Sequence, residues 1–128
     1  MTERNIDIMD HIVDELMGGK KISEALATFY SKRRVKIPYD ETLFNTPVLE
    51  TTLPNRIVNI LMRNKLTSIE EVIQFSKENS LDKIQWFGKQ SAMQLLEFIL
   101  DMAWDRMDEE QRFEFLVDFV ESNEEYLK

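Results

Sequence analysis

Punctuation is scarce in this sequence: three glycines, three prolines and no cysteine in 128 residues. Sheet-rich folds need many tight turns, and Gly and Pro make most of them. A chain with so few breakers must spend most of its length in long uninterrupted elements. Apolar residues account for 43% of the chain, enough for a real core, and they recur at helical spacing over most of it. The expected fold is therefore all-α, in one chain that buries roughly two-thirds of its unfolded surface.

Apolar periodicity predicts helices over about 5–17, 23–33, 54–63, 69–77, 90–106 and 108–126. Gly18-Gly19 is a stop signal for the first and sets up a helical hairpin over 1–36. The hairpin's apolar stripe needs a partner, either the rest of the chain or a second copy. Residues 37–52 carry Pro38, Asp40, Asn45 and Pro47 among the anchors Ile37, Tyr39, Leu43, Phe44, Val48 and Leu49. They read as a packed connector. Residues 53–106 form the central helical unit, and 107–128 a final acidic helix. Pro54 suits a first helical turn, Thr67 or Ser68 suits a cap, and Glu70 and Glu71 favour the dipole of the helix they begin. Leu61, Ile73, Leu95 and Ile99 fall on inner faces. The last helix presents Phe113, Leu116, Val117, Phe119 and Val120 as its stripe.

The absence of Cys excludes disulfides, thiolate catalysis, iron–sulfur clusters and zinc fingers. His11 is the one histidine, so a multi-His metal site is impossible and any Ser–His triad would have to use it. No glycine-rich loop is available to cradle phosphates. No catalytic constellation emerges, and neither an enzyme, a cofactor nor a metal is expected. Glu97, Asp101 and Asp105 share a helical face, which reads as a solvated acidic face rather than a ligand set. No stretch approaches the roughly 20 apolar residues of a membrane span. The opening residues carry mixed charge without a signal-like apolar core, so the expected location is cytoplasmic.

The net charge of −8 argues against general nucleic-acid binding, but it is unevenly spread. Residues 101–128 hold ten acidic and three basic residues, whereas 53–92 hold six basic and four acidic ones. The acidic end reads either as a dock for a basic partner or as a solubilising cap. A basic run, Lys32-Arg33-Arg34-Val35-Lys36, reads either as a phosphate tracker or as a solvated helix end.

The central unit contains Ile84-Gln85-Trp86-Phe87-Gly88-Lys89-Gln90-Ser91-Ala92 between two helices. This is the outline of a helix–hairpin–helix, in which Gly88 turns the backbone and the following helix offers free N–H groups to one DNA phosphate. Upstream, Pro47, Val48, Leu53, Arg56, Asn59 and Leu61 stand at spacings that resemble the C-terminal domain of the bacterial RNA polymerase alpha subunit. Leu66-Thr67-Ser68-Ile69-Glu70-Glu71-Val72 is similar to that family's next helix start, and Phe87-Gly88-Lys89-Gln90-Ser91 to its later loop. The resemblance covers about residues 47–101. It implies binding to AT-rich minor groove and contact with RNA polymerase or a transcription regulator. The DNA-contacting positions it implies are Arg56, Asn59, Gly88, Lys89 and Ser91, with Lys32, Arg33, Arg34, Lys36 and Trp86 as auxiliaries. An arginine entering a narrow minor groove meets concentrated negative potential. Two positions depart from the family: Trp86 stands where a polar residue, often Asn, is usual, and Gln90 where a second lysine is usual. The alternative is a protein-interaction module of the same fold that has lost DNA affinity.

Overall fold

A computed structural model describes residues 1–30, 35–38 and 46–128. Among these are six α-helices and no strand: α1 (Glu3–Met17), α2 (Ile22–Phe29), α3 (Asn55–Arg63), α4 (Ile69–Glu78), α5 (Lys89–Arg106) and α6 (Glu109–Ser122). None is long and apolar enough to cross a membrane.

Local chemistry explains most helix ends. The Thr2 hydroxyl accepts the Asn5 N–H at 3.2 Å and opens α1. Gly19, at φ +98°, closes it. The Lys20 N–H reaches the Glu15 carbonyl at 3.2 Å and the Gly19 N–H that of Leu16 at 3.1 Å, the paired bonds of a Schellman motif. Ser68 caps α4 by accepting the Glu71 N–H at 3.2 Å. Asp108 and Gln111 form a capping box on α6.

Other ends depend on distant residues. The apolar period predicts α2 through residue 33, but it stops at Phe29 and Tyr30 is extended. Tyr30 pairs as an antiparallel bridge with Leu127, and the Lys128 N–H takes the Phe29 carbonyl at 2.9 Å. The chain's last residues thus satisfy the backbone that another helical turn would have used. At the start of α2, Lys21 provides no side-chain cap. Asp101 of α5 supplies one from outside, accepting the Ser23 N–H at 3.1 Å and the Ser23 hydroxyl at 2.9 Å.

One apolar cluster takes residues from all six helices and Val35, Ile37, Val48 and Leu53 from the segments between α2 and α3. α1 packs on α2 and α6, and α2 packs on α5. Leu61, Ile73, Leu95 and Ile99 all lie in it, at 0–2% exposure. Burial departs from expectation at two places. Phe113 is 63% exposed and Phe115 is buried in its place, because α6 is rotated on its axis relative to the expected stripe. Val48 is buried but Leu49 is exposed. The final helix also ends earlier than 126: α6 stops at Ser122 and a 3₁₀ turn, Glu124–Tyr126, follows. The connector positions Tyr39, Asp40, Leu43, Phe44 and Asn45 lie outside the described residues.

Tyr30 sits inside the cluster with its ring edge-on to Phe119, centroids 5.2 Å apart. Among the described residues its hydroxyl has no hydrogen-bond partner. Burial pushes its pKa from 10 up to about 12, with Arg4 opposing the shift and Glu124 adding to it. The neutral phenol is therefore favoured in the folded state. The unfolded chain ionises first, so stability is constant with respect to this group below pH 10 and falls between pH 10 and 12. The expected loss across that window is about 2 kcal/mol. Denaturant melts on either side of it check this, because Tyr30→Phe should remove that part of the alkaline decline.

Candidate nucleic-acid interface

The predicted site residues come from α3 and from the N-cap and first turn of α5. Pro54 stands immediately before α3 as its N-cap residue, which puts Arg56 in the first turn. Arg56 and Asn59, three residues apart on adjacent turns, are both exposed. The Arg56 Nη1 donates to the Ser91 hydroxyl oxygen at 3.0 Å. Ser91 is only 2% exposed, in the first turn of α5. This bond joins residues 35 positions apart and ties the start of α3 to the start of α5.

Gly88 is the N-cap of α5, and Lys89 is its first residue and exposed. A glycine cap has no side chain to occupy the first-turn amides, so the positive end of an 18-residue helix is open to an outside anion. The expected role of Gly88 in turning the backbone is not observed. Its φ of −95° and ψ of 178° are extended, and a Cβ there would meet nothing within 4 Å. The turn is made two residues earlier. Trp86 has φ +72°, and the Phe87 N–H closes the turn on the Ile84 carbonyl at 2.9 Å. A positive φ at the third residue of a turn is the position that favours Gly or Asn. Buried Ile84 and Phe87 hold the turn on both sides, and Trp86 between them is 58% exposed.

Asn64 fixes this loop to α3. Its side-chain amide donates to the Ile60 carbonyl at 2.8 Å, capping α3, and to the Gln85 carbonyl at 3.1 Å. The sequence marks Asn64 as a helix end, but nothing local reveals its second bond.

Compared with known proteins, this chain matches no family model, no curated protein and no solved structure.

Lys32, Arg33 and Arg34 lie outside the described residues. Lys36 is held against the end of α6, with its ammonium 3.6 Å from a Glu125 carboxylate oxygen. Asp101 serves as the external cap of α2. Among the described residues no three metal-ligating side chains converge. His11 is exposed on α1, its ring 5.9 Å from that of Phe29. Trp104 is half-buried, with the Arg112 guanidinium 4.9 Å over its ring.

Proposed function

We propose that this chain is a small, non-enzymatic, transcription-linked DNA-binding protein of the cytoplasm that uses the face formed by α3 and the start of α5. The observation that carries the reading is the Arg56–Ser91 bond, which sets a guanidinium beside the uncapped N-terminus of α5. A phosphate at those amides would place the backbone, and Arg56 is free to leave Ser91 for an adjacent minor groove. Asn59, one turn beyond Arg56 on α3, and Lys89, the first residue of α5, are both exposed. The resemblance over 47–101 names AT-rich duplex as the target and RNA polymerase or a regulator as a second partner.

The acidic surface keeps affinity modest, and binding should fall steeply with salt. Each neutralised phosphate contributes about −0.9 to the slope of log affinity against log salt. Arg56→Ala should weaken binding to AT-rich duplex by about 1–3 kcal/mol. The same change should alter unfolding free energy by less than about 1 kcal/mol, since Arg56 is exposed and its removal lets water reach the Ser91 hydroxyl it leaves. A titration with AT-rich and GC-rich duplexes at several salt concentrations reads both quantities. No binding at low salt would hand the face to a protein partner instead.

A further inference from the structure

We propose that Trp86 is a wedge that enters the duplex at a deformable base step next to the phosphate held by α5. This rests on the DNA-binding reading of the same face.

Trp86 breaks two local rules at once. A bulky L-residue at φ +72° is strained where Gly or Asn would be relaxed. A large aromatic side chain is left 58% exposed although the chain has a core to hold it. Folding is not served by either choice, and coincident violations of this kind mark positions kept for function. The turn is also braced, with Ile84 and Phe87 buried on either side and the Gln85 carbonyl held by Asn64. The indole is therefore displayed on a fixed support rather than on a mobile loop.

Its surroundings select the occupant. Two residues on, the α5 amides open at Gly88, and Lys89 and Arg56 supply positive charge. A flat apolar group beside an anion-binding edge matches a base step beside its own phosphate. Proteins that read the minor groove insert apolar side chains between base pairs in this way and kink the duplex. TA and CA/TG steps unstack most easily, so they are the steps this wedge would choose.

The test uses the full chain with end-labelled AT-rich duplexes, one with a central TA step and one a continuous A-tract. The parent should bind the TA duplex about tenfold more tightly, and energy transfer between the ends should rise as the duplex bends. Trp86→Asn should lose that preference, the bend and about tenfold in affinity. Its thermal midpoint should equal or exceed the parent's, because Asn tolerates a positive φ. Trp86→Phe should keep the preference. A Trp86→Asn protein that binds like the parent, or melts well below it, overturns the wedge. So does tighter binding to the single strand than to the duplex. If the parent binds both duplexes equally and Arg56→Ala still weakens it, the wedge alone fails. If the parent binds no DNA, the DNA-binding reading fails with it.

Discussion

Leu95→Ala is expected to lower the unfolding free energy by about 2–5 kcal/mol. α5 buries Ser91, Ala92, Leu95, Leu96, Ile99, Leu100 and Ala103, one broad face that covers about half of the helix's circumference. It packs on α2 and on the 3₁₀ turn Leu81–Lys83. Leu95 is 0% exposed. Truncation removes three carbons from a site that rigid neighbours on several elements keep open, so the cavity term adds to the transfer term. The denaturant midpoint should fall well below the parent's, with the slope unchanged. An unchanged midpoint would mean that α5 is turned to present another face to the core.

Asn123→Ala should cost about 2–4 kcal/mol by a different route. Asn123 follows the last residue of α6 and is 0% exposed. Its side-chain oxygen accepts the Lys36 N–H at 2.6 Å. Its amide donates to the Lys36 carbonyl at 2.9 Å and to the Phe119 carbonyl at 2.8 Å. One side chain thus caps α6 and binds the extended segment 35–38 as a neighbouring strand would. Alanine leaves those backbone groups without partners in a buried place, and such groups cost more than the bonds they made. The Lys36 amide should exchange with solvent much faster in the variant. Asn123→Asp should rescue only part of the loss, since a carboxylate keeps the Lys36 N–H but repels both carbonyls. Equal exchange rates at Lys36 in parent and alanine variant would show that the segment is held by other contacts.

The candidate interface was legible in the sequence as a set of positions. Arg56 and Ser91 both belong to that set, and the fold brings them to 3.0 Å. The roles within the loop were not legible. Glycine tolerates unusual backbone angles, so the sequence points to Gly88 for the turn, yet the positive φ falls on Trp86. Anchoring decides this. Ile84 and Phe87 must both face inward, and the backbone between them has to reverse over two residues whatever their preference.

Local determinants and global ones divide by sequence separation. The all-helical class, the stop of α1 at Gly18-Gly19, the cap at Ser68 and the start of α6 next to Asp108 all depend on interactions within about five residues. Those interactions exist as soon as the helix does, so the order of residues along the chain is enough to specify them. The stop of α2 at Phe29, the external cap from Asp101, the grip of Asn123 on Lys36 and the burial of Phe115 instead of Phe113 depend on partners far along the chain. Ser23 and Asp101 are 78 residues apart, and Lys36 and Asn123 are 87. A backbone group or an apolar face with two competing partners goes to the one that packing brings within reach. That choice is made only when the helices have closed on one another, because burial and the hydrogen bonds it demands do not exist before the core does.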